Sequence, residues 1–416
     1  MKTSCVLPGI LTKVPAFIIG LSAVATFAQG PTLALPGQSP PPDNKLADAD
    51  NGFAFGLLKQ IANADTGKNT FISPFSVATA LEMVANGAAG QTRAEMQNAL
   101  NTAGIAATEL NDDCKALNQS LAAQTNAILD LANGIWYQND LKLKPQFISD
   151  NQTYFDAELA AVDFSNPSSA QMINDWASKK TFGKIQGVVS YPMPPDTRMV
   201  LANAIYFKGK WEDPFEKNLT TPQDFHLPGG SVEQVPMMEK QAYYPYQEGN
   251  GFQAVEVSYQ GDRLQMILFL PATNSSPQQL LNQFNGDTWR NKILPGFEDR
   301  RGDLAFPKFT LNYDVTLNDS LEALGMKSAF SKDNANFSAM ALEPLCISEV
   351  KQKSYVAVDE EGTEAAAVTT VVMESAAAME PINTFNMTVD RPFFFVIADS
   401  QTQAILFMGI VNNPTP

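Results

Sequence analysis

The chain has little of what catalysis uses. Its 416 residues contain one histidine and three cysteines. A Ser-His-Asp or Cys-His centre would have to use His226, and no G-x-S-x-G motif supplies a nucleophile for it. His226 is therefore read as structural. No His/Cys/Asp cluster has zinc spacing. No glycine loop cradles phosphate: Gly87-Ala-Ala-Gly is too short, and Gly249-Asn-Gly lies among strand signals. The reading is of a protein with no metal or cofactor, and not an enzyme.

Basic residues are also scarce. There are 28 Lys and Arg against 44 Asp and Glu, a net charge of −16. Nucleic-acid binding and docking on an anionic membrane both need clustered cations, so both are excluded as expectations. The acidity instead keeps a soluble chain dispersed. Long apolar runs are almost missing. Val14 to Phe27 is shorter than the ~20 residues of a membrane helix. With Lys2 and Lys13 around it and Thr26-Phe27-Ala28 after it, it reads as a secretory signal over 1–28. That places the protein outside the cell or in a periplasm, with an uncleaved anchor as the alternative. A flexible leader rich in proline and glycine follows, 29–45. Cys5 leaves with the signal. Cys114 and Cys346 are too few and too far apart for a disulfide framework. They read as two separate thiols behaving as small hydrophobes, a single bridge being the alternative.

What the chain does have is one unusual stretch, Asp359 to Phe395. From Glu361 to Glu380 it contains no proline and one glycine, Gly362. Nothing there removes a ladder donor, so it could serve as a strand inside a sheet. Yet its small residues give it little to hold it in a core.

Apolar periodicity predicts early helices, over 46–64, 74–85, 91–100, 109–124, 144–155 and 168–180. Thr92 and Glu95 form a capping-box pattern for the third. Strands are expected at 69–72, 129–136, 160–164 and 199–207. Later they dominate, at 232–238, 243–246, 252–259, 264–270, 303–311, 350–358, 393–398 and 405–411, with short helices at 280–284 and 317–324. Helices early and strands late, without βα alternation, predict an α+β fold in a single domain, 46–416.

Several separated stretches resemble the serpins, the serine-protease-inhibitor superfamily. They include Asn69-Thr-Phe-Ile-Ser-Pro-Phe-Ser, Gly87-Ala-Ala-Gly-Gln-Thr-Arg-Ala-Glu-Met, Leu201-Ala-Asn-Ala-Ile-Tyr-Phe-Lys-Gly-Lys-Trp, Pro307-Lys-Phe, Asp359-Glu-Glu-Gly-Thr-Glu-Ala-Ala-Ala and Asp390-Arg-Pro-Phe-Phe-Phe. The resemblance runs from about Ala47 to Val411. It implies a large central sheet A, two smaller sheets, about nine helices and an exposed reactive-centre loop over about 360–391. It also implies a monomeric inhibitor that a protease attacks as a suicide substrate. After cleavage the loop enters sheet A as a new strand and the protease is trapped as an acyl-enzyme. A non-inhibitory binding or chaperone-like serpin is the alternative.

The resemblance implies roles for particular residues. Glu360, Gly362, Thr363, Glu364, Ala365, Ala366 and Ala367 match the hinge, with Thr363 the first to enter the sheet. Thr363, Ala365, Ala367, Thr369 and Val371 would face inward. Trp211 and Lys308 match the region where the loop enters, with Lys308 and Glu360 an exposed ion pair. Ser73, Ser76 and Asn203 match the region over which the sheet opens, and Gln352 stands where many relatives have histidine. The cleaved bond, sixteen residues beyond Glu360, is Ala376–Ala377, with Ser375 to Met379 the range left open. A small residue there suits an elastase-like protease; subtilisin-like serine and papain-like cysteine proteases remain open. No Lys or Arg lies between Gly362 and Asp390, which disfavours a trypsin-like one. Lys115 stands nearly alone among acidic residues, so no heparin-type activator is expected.

Overall fold

The computed structural model describes residues 45–195, 197–249, 251–363 and 384–415. The first part of the chain is α1 (Lys45–Ala64), β1 (Thr70–Ile72), α2 (Pro74–Ala85), α3 (Gly90–Ala99), α4 (Ala107–Ala122), β2 (Ala127–Gln138), α5 (Pro145–Phe155), β3 (Glu158–Val162), α6 (Pro167–Lys180) and β4 (Met199–Lys210). The middle is β5 (Thr221–His226), β6 (Val232–Gly249), β7 (Phe252–Ser258), β8 (Leu264–Pro271), α7 (Pro277–Leu281) and α8 (Gly286–Thr288). The last part is β9 (Glu298–Pro307), β10 (Phe309–Thr316), α9 (Asn318–Ala323), β11 (Lys351–Asp359), β12 (Gly362–Thr363), β13 (Thr384–Thr388), β14 (Phe393–Asp399) and β15 (Ile405–Val411).

The strands make two sheets. One has six strands in the order β10-β11-β12-β4-β2-β3. The other has nine, in the order β1-β15-β14-β8-β7-β6-β9-β13 with β5 beside β6. The first is the large sheet of the expected α+β fold. The second joins the two expected smaller sheets through β6. This one strand covers both 232–238 and 243–246, which the sequence reading gives as separate strands, and it carries Pro236 and Pro245. Both prolines are tolerated where β6 changes partner. Val232 to Met237 pairs with β5, Met237 to Tyr246 with β9, and Tyr246 to Gly249 with β7. Each proline is therefore paired on one side only, where a missing N–H leaves no ladder bond broken.

The core is packed between the sheets and the early helices. All seven residues of β14 and all seven of β15 are buried. Phe71 of β1 stacks on Phe395 and Phe407, with ring centroids 5.8 and 5.6 Å apart. Asn51 ties α1 to this hairpin. Its Nδ2 donates to Gln403 O at 2.8 Å and its Oδ1 accepts from Ile405 N at 2.9 Å.

Three local expectations are corrected. The strand expected at 303–311 is two strands. β9 ends at Pro307 and β10 begins at Phe309, so Lys308 marks the point where the chain passes between sheets. The capping box at α3 does not form. The helix begins behind Ala89, without a side-chain cap. Thr92 Oγ1 instead accepts from Asn336 N, and Glu95 accepts from Lys327 N and Ser328 N at 3.0 and 2.6 Å. The pattern serves a contact distant in sequence. β5 and β13 were not expected at all. Cys114 is buried and Cys346 half-buried, and both are free thiols.

Asp399 is fully buried and binds Arg263 Nε at 2.6 Å, Thr402 N at 2.8 Å and Thr402 Oγ1 at 2.6 Å. Removing it leaves a largely buried guanidinium unpaired. The Asp399→Ala variant is expected to lose about 3–5 kcal/mol of stability, read as a lower urea midpoint. An unchanged midpoint would show that Arg263 finds another partner.

Candidate functional site

At one end of the six-stranded sheet the chain leaves β11, turns through Glu360 and Glu361, and starts β12. The turn is held by backbone bonds. Trp211 N donates to Glu361 O at 2.9 Å and Phe215 N to Glu360 O at 2.8 Å. The Trp211 indole Nε1 donates to Asp359 O at 2.9 Å. Trp211 is completely buried, stacked on Tyr259 with centroids 4.6 Å apart. Phe306 presents an edge to the same indole, and another to Phe215 at 5.2 Å.

The carboxylates of the turn each have partners. Glu360 Oε2 accepts from Lys308 Nζ at 2.8 Å and Oε1 from Thr220 Oγ1 at 2.9 Å. The Glu360 side chain is 5% exposed, so this is a buried carboxylate and not the exposed pair of the sequence reading. Burial opposes its ionisation. The Lys308, Thr220 and backbone bonds outweigh burial and hold its pKa below the ordinary carboxylate range. Glu361 Oε1 accepts from Lys217 Nζ at 2.5 Å, and this bond holds the Lys217 ammonium above its ordinary value. Burial pushes Asp359 up, against the opposing bond from Glu361 N.

Gly362 occupies a backbone position that side chains rarely adopt, with φ +149°. A Cβ there would run into the Gly209 carbonyl of β4. The glycine therefore lets β12 start tightly against β4. Thr363 follows, 1% exposed, with its Oγ1 2.7 Å from the Tyr259 hydroxyl. Thr363 lies opposite Val358 of β11 and Gly209 of β4. Among the described residues β11 and β4 are not paired with each other; the two residues of β12 join them.

Farther down, the same two strands are bridged by the first turn of α2. Gln352 of β11 holds the Ser73 backbone at both ends, accepting from N and donating to O at 3.0 Å each. Ser73 Oγ caps α2 by accepting from Ser76 N, and donates to Leu406 O at 2.7 Å. Ser76 Oγ bonds to Asn203 Oδ1 of β4. Asn203 continues to Asn133 of β2 at 2.6 Å, and Asn133 to Phe155 O at 2.8 Å. Ser73, Ser76 and Asn203, expected together in one region, form one chain of bonds, closed on the β11 side by Gln352.

The segment after α6 crosses the opposite face of these strands. Phe182 packs on Tyr206 of β4 with centroids 4.8 Å apart. Lys184 Nζ lies 4.7 Å from the Tyr355 ring centroid on β11, and Lys353 Nζ donates to Gln186 O at 3.4 Å. This strap grips both β4 and β11.

Sequence reasoning missed Tyr259, Lys217, Thr220, Asn133 and the strap. Tyr259 sits 104 residues from Thr363 and Thr220 140 from Glu360, and no local pattern marks such partners. The expected positions Glu364, Ala365, Ala366, Ala367, Ala376 and Ala377 lie outside the described residues, as do the 1–28 signal and nearly all of the 29–45 leader.

Comparison with known proteins follows this geometry. Residues 48–414 match the family model "Serpin (serine protease inhibitor)". A serpin-like protein of Thermococcus kodakarensis is 35% identical over 382 residues, covering 89% of this chain and 86% of its own. Human leukocyte elastase inhibitor is 32% identical over 382 residues, covering 89% of this chain and all of its own length (100%). The native structure of tengpin, a thermophilic serpin, superposes with a TM-score of 0.83 at 30% identity, covering 91% of this chain and 97% of that one.

The turn is expected to depend on the charge of Glu360. Its pKa is depressed, so the stability it contributes is present above the ordinary carboxylate range and lost as pH falls through its folded value. Lys308→Ala should weaken the turn at neutral pH. Hydrogen exchange of the Trp211 and Phe215 amides, corrected for intrinsic rate, should speed up about tenfold, as loss of a charge-assisted bond predicts. Equal rates in both proteins would mean that Trp211 and Tyr259 hold the turn alone.

Proposed function

The chain belongs to the serpin family, and on that premise we propose that it is a protease inhibitor acting as a suicide substrate on serine proteases. Members of the family generally inhibit proteases and are not enzymes themselves. The observation that carries the proposal is β12. Two residues already start a strand between β11 and β4, and the chain beyond them has no proline before Pro381.

The pairing of β12 fixes where its continuation would go. With Thr363 opposite Val358 and Gly209, Ala365 falls opposite Val356 and Phe207, and Ala367 opposite Ser354 and Ile205. Thr369 falls opposite Gln352 and Asn203, where its hydroxyl meets the Ser73–Ser76–Asn203 network. Strand side chains alternate, and directly opposed residues share a face. Thr363, Ala365, Ala367, Thr369 and Val371 therefore share the face on which Val358, Val356, Ser354 and Gln352 are buried. Glu364 falls on the other face, opposite Ala357 and Lys208. In that register the inward positions carry small or β-branched side chains and Glu364 would lie on the other face.

In this reading a protease cuts the loop near Ala376–Ala377 and its nucleophile remains esterified to the residue before the cut. Continuation of β12 carries the loop and the attached enzyme along the sheet. β11 and β4 must part for this, and the strap from Phe182 to Gln186 must give way. Small residues at the cut favour an elastase-like target, and the likeness to human leukocyte elastase inhibitor supports that choice. No helix among the described residues is long and apolar enough to cross a membrane. Export from the cell rests on the 1–28 segment of the sequence.

The test is incubation with a pancreatic or neutrophil elastase. An SDS-stable complex is expected, with mass spectrometry of the released peptide locating the cut between Ser375 and Met379. Cleavage without complex at every ratio would overturn the inhibitory reading and leave a binding or chaperone-like serpin. Thr363→Arg should give that substrate behaviour deliberately, since it puts an unpaired charge in the buried first position of β12 beside Tyr259, costing several kcal/mol and undoing the start of the strand. The strap has its own test. A synthetic peptide with the 363–375 sequence should anneal several-fold faster to a Phe182→Ala, Lys184→Ala protein. Equal annealing rates would remove the strap from the barrier.

A further inference from the structure

Away from the β11–β4 seam, α1, α2 and α4 meet around acidic groups turned inward. Asp50 of α1, Glu82 of α2 and Cys114 of α4 have relative exposures of 5%, 3% and 3%. The Cys114 thiol donates to Glu82 Oε2 at 2.8 Å. Glu82 Oε1 and Asp50 Oδ1, both buried, have no hydrogen-bond partner. Asp50 is near enough for the charges of the two carboxyls to act on each other and on the thiol. Asn86 and Asn111, bonded at 3.0 Å, join α2 and α4 nearby.

Among the described residues no ion pair joins a cation to Asp50 or Glu82. On α1, Lys45 pairs with Glu109 of α4, and Asp48 pairs with Arg290. Lys115 of α4 lies over the Tyr154 ring of α5. Asp113 of α4 adds negative charge at the thiol. On α3, Glu95 is bonded to Lys327 and Ser328, and neither it nor Arg93 is among the groups acting on the carboxyls. Asp150 of α5 accepts from Gln146. Burial is the first cause acting on Glu82, opposed by the thiol bond alone. Two ionised carboxylates in this position would lose their hydration and repel each other.

We propose that Glu82 and Cys114, bonded to each other with the Asp50 carboxyl buried nearby, form a protonation-sensitive brace where α1, α2 and α4 meet. The brace is closed while at least one of the two buried carboxyls is protonated, and it loosens when both ionise. This goes beyond protease inhibition and does not depend on it. The sign of its pH effect is opposite to that of Glu360. Burial holds both carboxyls above their ordinary range, Glu82 near about 7. Between the ordinary range and neutrality the folded state binds more protons than the unfolded one. The contribution to stability is therefore full only below the ordinary carboxylate range and falls as pH rises from that range through the folded value of Glu82 at about 7.

The buried thiol reports on the brace. In a full-length Cys5→Ser, Cys346→Ser protein, Cys114 is the remaining cysteine. Its labelling by dithiodipyridine, corrected for ionisation of a free thiol, should rise about tenfold from about pH 6 to about pH 8.5, as one pKa unit of linkage predicts. In the same background Glu82→Gln and Asp50→Asn each remove one ionisation and should flatten the rise to less than about threefold. Urea midpoints should follow, falling with pH in the parent and less in either variant. If one variant fails to fold, the other decides. Labelling of the parent that tracks thiol ionisation alone would overturn the proposal. So would a full rise retained in the variants.

Discussion

The six-stranded sheet depends on a strand only two residues long. Gly362 and Thr363 are what β11 and β4 have in common, and everything at that end of the molecule holds them in place. Gly362 permits the close start against Gly209. Thr363 is fixed through its hydroxyl to Tyr259, which is stacked on Trp211, which in turn is bonded to Asp359 and Glu361. The acids of the turn point at lysines and a threonine from two other segments. A corner with this many partners is rigid, and its rigidity matters because a strand grows from its first pair.

The seam between β11 and β4 is thus controlled at three levels by different chemistry. The upper end is aromatic and ionic. The centre is a run of amides and hydroxyls from Gln352 through Ser73 and Ser76 to Asn203 and Asn133. The outer face is a strap whose grip is an aromatic contact on one strand and a cation over an aromatic ring on the other. The central network reaches α2 at its first turn, and α2 also carries Glu82 two turns later.

Much of this architecture can be read from the sequence because it is local. The buried runs of β14 and β15, the helices with an apolar face and the glycine at 362 all carry signals within a few residues. The misreadings come mainly from places where distant partners decide. The polar run Glu239 to Gln241 separates the two expected strands, and pairing with β9 across it makes them one strand, β6. Thr92 and Glu95 have the spacing of a cap and instead hold a segment more than 230 residues away. The run from Asp303 to Leu311 divides after Pro307, a local breaker that the sequence reading passes over, and each half joins a different sheet. At the site, Trp211, Lys308 and Glu360 were found through a family motif. Tyr259, Lys217 and Thr220 belong to no motif. Their part depends on where the fold brings them.

The division of labour along the loop bears on where the barrier to insertion lies. A new strand ordinarily has two difficulties: closing the turn that feeds it and opening the sheet that receives it. Here the turn is already closed, with the carbonyls of Glu360 and Glu361 bonded to Phe215 and Trp211, and the first inward side chain is already buried. The entropy of loop closure and of the first pairing has been lost before any protease arrives. Each following residue then adds ladder bonds on both edges without a new turn. On the proposed mechanism the barrier must lie in parting β11 from β4. That means breaking the contacts of the strap and the bridge through Ser73 and Ser76, rather than starting the strand. On that mechanism the speed of inhibition would be set by the strap and the Ser73–Ser76 bridge, residues far from the bond that is cut.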